Sequence, residues 1–374
     1  MTAPDRTTTL LARHEALGAT LTSFGGWAMP LSYASQLAEH HAVRQAAGIF
    51  DLGHMGTVWL WGPAAAEMLD HAVVGRLSAM ELGQAKYTLL CAPDGGIIDD
   101  LIAYRLAPER FLLVPNAAST EVVVDELRER STGFDVTVED TTEQTALVAV
   151  QGPAAEAIVA GDAREPARVR ALRYYSVMET GVAGESVLLA RTGYTGEDGF
   201  ELVLPAADAP ALWDRLLDAG QQHGLVPAGL AARDSLRLEA TMPLYGNELS
   251  RDVDPYTVSL GSVVDLAKKD FVGRDALVRA HEAHTARSPG RRRLVGLAGE
   301  GRRAARPGYP VLADGEPAGA VTSGLLSPTL GHPVALAIVD AATAAPGTVV
   351  EVDVRGRLEP FTVVQRPFYR RPHP

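Results

Sequence analysis

The alternation of apolar and polar positions predicts one supersecondary unit three times along the chain. Residues 57–61 alternate with the period of two expected of a half-buried strand, Gly62-Pro63 breaks the pattern, and residues 64–69 open a helix. The same order recurs at residues 145–151, Gly152-Pro153 and residues 154–159. A looser version is residues 200–204, Pro205 and a helical run over 212–217. Proline suits the first turn of a helix, where its missing N–H would be unbonded anyway. Strand–turn–helix units separated by hairpin-like segments imply α+β layers rather than a doubly wound parallel sheet.

The texture changes after about residue 285. Residues 286–306 are rich in Arg, Gly and Pro and read as a linker with one strand around 294–297. Short apolar segments follow at 311–313, 319–322, 334–339, 348–354 and 358–364, separated by Asp314-Gly315, Pro346-Gly347 and Arg355-Gly356. Regularly spaced short strands with little helix predict a small all-β barrel or sandwich. The expected division is residues 1–280 as two interleaved α+β subdomains, 281–306 as linker and first strand, and 307–374 as the barrel.

Composition narrows the class. Of 374 residues, 47% are hydrophobic and 21% charged, which is globular usage and excludes a fibrous or disordered chain. The net charge of −12 disfavours a dedicated nucleic-acid binder. That charge is unevenly spread: residues 286–306 hold seven arginines against the single acid Glu300, and residues 366–374 hold three arginines and no acid. Such a strip suits an acidic partner, with Arg291 to Arg293 at its centre. A single cysteine, Cys91, excludes an intramolecular disulfide framework. No apolar run approaches the ~20 residues of a membrane span, and the first 13 residues lack a signal-peptide core, so a cytoplasmic protein is expected. Nucleotide-binding glycine loops, a nucleophile elbow and HExxH are all missing. His281 and His284 form only HExH, and His40, His41 and His54 show no ligand partners in sequence, so no metal is expected.

Three stretches carry candidate chemistry. In 86–104, Pro93 to Gly96 reads as a hairpin turn; in the return strand Ile98, Asp100, Ile102 and Tyr104 share one face and Ile97, Asp99, Leu101 and Ala103 the other. Two adjacent carboxylates therefore point to opposite sides of an apolar strand, and whichever faces inward is costly unless paired. In 191–202, Gly193, Gly196 and Gly199 forbid a regular helix and permit close backbone approach, and Glu201 places an acid in the apolar strand that follows. In 229–246, a helix with a small-residue face carries Arg233 and Arg237 at i, i+4, the pairing a dicarboxylate ligand needs and also that of an ordinary salt-bridged face.

Together these stretches resemble the aminomethyltransferases of the glycine cleavage system, the T proteins. The resemblance extends through Phe24-Gly-Gly-Trp-Ala-Met-Pro30, Ile49-Phe-Asp-Leu-Gly-His-Met-Gly56, Gln151-Gly-Pro153, Asp270-Phe-Val-Gly273, Thr322-Ser-Gly-Leu-Leu-Ser-Pro-Thr329 and Arg366-Pro-Phe-Tyr-Arg370. It implies an α+β fold of three domains in a cloverleaf, two of them folate-binding and the last a β-barrel. It implies transfer of a one-carbon unit from the aminomethylated lipoyl arm of H protein to tetrahydrofolate, with release of ammonia. Carried over by position, Asp100 matches the catalytic aspartate, Glu201 the pterin-binding acid and Arg233 a folate-binding arginine. Asn116 and Tyr194 match polar site residues, and Tyr369 or Arg370 would close the site from the barrel. Gly53 and Thr241 depart from the family's usual serine and glycine, and Gly261-Ser262 lacks a usual tryptophan. A folate-dependent demethylase of the same fold and a non-enzymatic folate-binding maintenance protein are the alternatives; the cysteine motif of the latter is absent.

Overall fold

The computed structural model describes residues 5–286 and 290–372; residues 287–289 of the expected linker and the two ends of the chain, including the last two residues of the arginine-rich tail, lie outside the described residues. The chain forms two compact units, one from residues up to 72, 76–87 and 101–234, the other from 73–75, 88–100 and 235 onward.

In the first unit, six strands order as Val177–Val182, Glu185–Ala190, Gly199–Pro205, Thr145–Gln151, Ala47–Asp51 and Leu225–Pro227. All neighbours are antiparallel except the last pair, which is parallel. The helices Ala155–Gly161, Pro166–Ala171 and Ala209–Gly220 contribute Ile158, Val159, Val169, Leu212, Trp213 and Leu216 to the same core as the sheet residues Ile49, Val148, Leu189 and Leu202. Glu201 lies in the middle of this sheet, opposite Ala149 on one side and Ala190 on the other. A second sheet holds Val58–Trp61 between Arg110–Val114 and Thr137–Asp140, and the return strand Ile97–Ala107 pairs with Arg110–Val114 from Ile102 onward.

The recurring unit has a shared backbone device. Gly62 and Gly152 sit at φ 140° and 131°, and a Cβ at either would lie 2.5 Å from a backbone carbonyl, of Asp135 and Ala46 respectively. Only glycine serves there, and the helices Ala65–Ala72 and Ala155–Gly161 start directly afterwards. The third unit lacks that crowding and enters Ala209–Gly220 through a single 3₁₀ turn, Ala206–Asp208.

The second unit contains a closed barrel of six strands, in the order Arg292–Gly299, Pro333–Asp340, Glu316–Leu326, Pro310–Ala313, Val349–Asp353 and Leu358–Val364. Its interior is filled by Val295, Leu297, Val321, Ala337, Val352 and Phe361 among others. Asp314 and Gly315 (φ 52° and 81°) and Arg355 and Gly356 (φ 57° and 81°) supply the consecutive left-handed residues that tight hairpins require. Two details differ from the sequence reading. The helix Arg274–Thr285 runs past residue 280, and the first barrel strand begins at Arg292 because it is paired along its length with Pro333–Asp340. The compact units divide at 234 and draw residues 88–100 into the second. Hydrophobic period cannot reveal that division, because the helix Leu230–Glu239 runs across it without a break.

Candidate functional site

The site residues of the first unit are built around Glu201. Its Oε2 accepts hydrogen bonds from Thr192 Oγ1 at 2.5 Å and from the Tyr104 hydroxyl at 3.3 Å, while Oε1 has no hydrogen-bond partner among the described residues. Tyr104 is buried, and burial together with the Glu201 charge raises its phenol well above the ordinary range, so it stays a donor. Tyr175, at a left-handed φ of 60°, is raised in the same direction by burial, Tyr174 and Glu201. Tyr104 lies on the Asp100 face of its strand, four residues on, a placement that alternation alone could have flagged.

The loop between Glu185–Ala190 and Gly199–Pro205 is held on three sides. Arg191 pairs with Asp198 and with Glu156 at 2.5 and 2.8 Å, and Arg44 bonds the Thr195 carbonyl and Glu197 at 2.7 and 2.9 Å. The buried Gln151 side chain donates to the Thr192 and Phe200 carbonyls and accepts from Thr195 Oγ1 at 3.2 Å. A Cβ on Gly193 or Gly199 would overlap that amide. The glycine spacing therefore makes room for Gln151 of the Gln-Gly-Pro turn. Tyr194 is presented from the loop, and the Arg233 guanidinium lies over its ring, 4.7 Å from the centroid.

Arg233 is half-buried and forms no ion pair among the described residues. Burial lowers its pKa, partly offset by Tyr194 and Glu201, so the cation is only partly compensated by its surroundings. Asn116 is half-buried at the start of the turn Ala117–Ser119. Ala117, the next residue, packs with Trp27, Met29 and Leu230, the last being the first residue of the helix that carries Arg233. The structure thus brings Glu201, Tyr194 and Arg233 together, with Asn116 beside the start of the Arg233 helix.

The second unit holds Asp100, Tyr369 and Arg370. Asp100 is half-buried, whereas Asp99 is fully buried, so the two carboxylates differ and neither is a solvated strand end. The Ile97 backbone beneath them is fixed: its N–H donates to the carbonyls of Ser250 and Val253, and its carbonyl accepts from the Tyr245 hydroxyl at 3.3 Å. Burial raises the Tyr245 phenol, and Asp99 and Asp100 reinforce the shift against Arg251. Tyr369 is tied through its backbone N–H to the Glu239 carbonyl at 2.9 Å, and Arg370 is exposed.

Other candidates have structural partners. Arg237 does not form a free arginine row with Arg233: it is buried against Glu248 at 2.9 Å and bonds Ser323 Oγ at 2.8 Å. Glu239 accepts from Ser327, Thr329 N–H and Thr329 Oγ1. The Thr322 to Thr329 motif is therefore a set of anchors for the end of that helix. His281 and His284 both face the Tyr256 ring, at 5.2 and 6.0 Å between centroids. Arg291, expected to face a partner, is paired with Asp254 at 3.2 Å. Among the described residues no group of three or more His, Cys, Asp or Glu is placed to hold a metal ion, and no helix is long and apolar enough to cross a membrane.

The glycine cleavage T-protein (GCVT) N-terminal domain matches residues 10–268, and the T-protein C-terminal barrel domain matches 292–370. The aminomethyltransferase of Streptomyces avermitilis is 53% identical over 368 residues, covering 98% of each chain. That of Moorella thermoacetica is 45% identical over 367 residues, again with 98% coverage of each. The crystal structure of glycine cleavage system aminomethyltransferase T from Bartonella henselae superposes with a TM-score of 0.90 at 36% identity, over 98% of both chains. With both domains matched in order and relatives of this identity spanning almost its whole length, the chain belongs to the aminomethyltransferase family of glycine cleavage T proteins.

Proposed function

We propose that this aminomethyltransferase moves the one-carbon unit from S-aminomethyl-dihydrolipoyl H protein to tetrahydrofolate in the cytoplasm. The products are ammonia, the free lipoyl thiol and 5,10-methylenetetrahydrofolate. The balance is closed: two folate N–H hydrogens leave as the methylene bridge forms, one going to the sulfur and one to the departing amine. We further propose that residues 1–280 form the folate-binding region, 281–306 the linker and first strand, and 307–374 the barrel domain.

The observation that carries this reading is the half-satisfied Glu201 carboxylate beside Arg233, which forms no ion pair among the described residues. One oxygen is held by Thr192 and Tyr104 and the other is left for a ligand, which fits the adjacent N–H donors of a pterin edge. Arg233 and Tyr194 offer a cation and an aromatic face to the rest of the folate, and Asn116 a polar contact. Asp100 is the proposed catalytic carboxylate: a fixed anion stabilises the positive charge that develops on the methylene carbon as its bonds loosen. Tyr369 and Arg370 are the proposed closing residues from the barrel tail.

The test is ammonia release from aminomethylated H protein with purified enzyme and tetrahydrofolate. Ammonia and methylenetetrahydrofolate formed in equal amounts support the reading. Folded, folate-binding protein that releases none overturns it, and turnover of a methylated amine or sulfonium donor instead would favour the demethylase.

A further inference from the structure

His54 is buried, with 1% of its surface exposed, and its Nδ1 has no hydrogen-bond partner among the described residues. An orphaned buried nitrogen costs roughly 1–3 kcal/mol and calls for an explanation. Slack in the chain is not the explanation, because the backbone around His54 is pinned from several directions. Asp51 Oδ1 accepts from the Gly53 N–H at 2.8 Å, and Oδ2 is held by Thr8 Oγ1 at 2.6 Å and His14 Nε2 at 2.8 Å, with Tyr33 on the far side of His14. After it, the Met55 N–H bonds the Leu52 carbonyl and the Gly56 N–H bonds the Pro115 carbonyl at 3.1 Å.

The surroundings of the ring are those of the proposed folate residues. Gly56 reaches Pro115, the neighbour of Asn116. The Phe24 ring packs edge-on against His54 at 5.5 Å, and the adjoining Gly25 packs on Ala117 so closely that a Cβ would lie 2.9 Å from its methyl. Leu230 joins Trp27, Met29 and Ala117 in one cluster. Burial, and after it the charge of Arg233, brings the His54 pKa down to about 4, against a smaller opposing pull from Asp51. The imidazole is therefore neutral at physiological pH, able to donate or accept but not to repel the neighbouring guanidinium.

We propose that His54 is a further binding residue for the folate acceptor: when the Phe24 ring packed edge-on against it turns aside, its covered Nδ1 makes a hydrogen bond to the ligand on the face served by Arg233 and Asn116. The inference rests on the folate reading above and adds a contact to it. The Asp51 network then has a purpose in function, since it fixes the backbone of Gly53, from which His54 projects.

The test compares His54→Phe, His54→Asn and His54→Gln in tetrahydrofolate binding, in KM and kcat, and in urea unfolding. An Asn amide falls near the position of Nδ1 and a Gln amide near Nε2. His54→Phe is expected to raise the tetrahydrofolate Kd and KM about tenfold, the scale of one buried hydrogen bond. His54→Asn should recover binding to within about threefold of wild type and His54→Gln should not. A Kd for His54→Phe within twofold of wild type overturns the inference. So does a loss shared equally by Asn, Gln and Phe alongside a lowered urea midpoint, which assigns the ring to packing. Wild-type protein that fails to bind tetrahydrofolate refutes the folate reading itself, a result distinct from either.

Discussion

Two arginines one turn apart on the helix Leu230–Glu239 should give opposite phenotypes. Arg237 is 1% exposed and its partner Glu248 is 0% exposed. Glu248 Oε2 accepts from Arg237 and from the Leu244 N–H at 3.0 Å, and Oε1 accepts from Ser323 Oγ at 2.6 Å. Ser323 in turn accepts from Arg237 and from Asn247 Nδ2 at 3.0 Å. In Arg237→Met the carboxylate stays buried without its cation, a loss of about 3–5 kcal/mol. At a urea slope of about 3 kcal/mol/M the midpoint falls by about 1–1.7 M. Arg233 is the reverse case. Its folded pKa is lowered by burial, so the folded state binds its proton less tightly than the unfolded chain, and the charge opposes folding. Arg233→Met should therefore unfold within about 0.5 kcal/mol of wild type while losing a charge-assisted contact to folate worth about 1.5–3 kcal/mol, or roughly 10–100-fold in Kd. Urea unfolding followed by fluorescence and folate titration on the same preparations read both effects. A wild-type midpoint for Arg237→Met, or an Arg233→Met that keeps wild-type affinity, would refute the assignment of one to the fold and the other to the ligand.

Asp100→Asn should cut turnover about a hundredfold or more with little change in folate Kd; wild-type kcat in a single-turnover assay would remove Asp100 from the chemistry. Glu201→Gln should weaken folate about 10–100-fold, since a charged acceptor becomes a neutral amide, and an unchanged Kd by calorimetry would reject its pterin role. Thr241 occupies the left-handed position after the helix, at φ 55°, with the Met242 N–H closing back on the Arg237 carbonyl. Glycine is the residue that position favours, and a β-branched side chain there is strained by about 1–2 kcal/mol. Thr241→Gly should therefore stabilise the enzyme by about 1 kcal/mol after the added chain entropy is counted, and a lowered urea midpoint would contradict the strain. His54 has a folded pKa of about 4 against 6.5 for the free side chain. Between those values the unfolded chain takes a proton that the folded one refuses, so stability falls as pH drops from about 6.5 to 4, by a few kcal/mol. In His54→Asn that loss is absent, and a denaturation series across the window that shows no flatter slope would reject the neutral ring.

How much of this was legible in the sequence depends on whether the signal is local. The strand over 145–151, the helix over 230–239 and the barrel hairpins at Asp314-Gly315 and Arg355-Gly356 are written in period and turn chemistry, and they appear where expected. Partnership between distant positions is not written that way. A helical wheel puts Arg233 and Arg237 on one side, but Glu248 and Ser323, which claim Arg237, lie 11 and 86 residues further on. The same holds for the three glycines of the 191–199 loop. Their spacing announced a close approach, but what approaches Gly193 and Gly199 is the amide of Gln151, more than forty residues earlier.

The residues that escaped a reading by type share one property: each is chemically ordinary until its environment is known. His54 in sequence is a histidine without ligand spacing; in the fold it is a buried, neutral ring whose Nδ1 has no hydrogen-bond partner among the described residues. Tyr104 in sequence continues an apolar strand face; in the fold it holds one oxygen of Glu201 and leaves the other open. Asp99 and Asp100 are identical by type, and the fold alone shows that the first is buried and the second half-exposed. A ligand is recognised by hydrogen-bonding capacity that the fold has left unspent, and that remainder depends on which distant groups have already been satisfied. Among the described residues of the first unit, Glu201, Arg233 and His54 carry such unspent capacity close to one another, and for that reason the folate contacts are proposed for them.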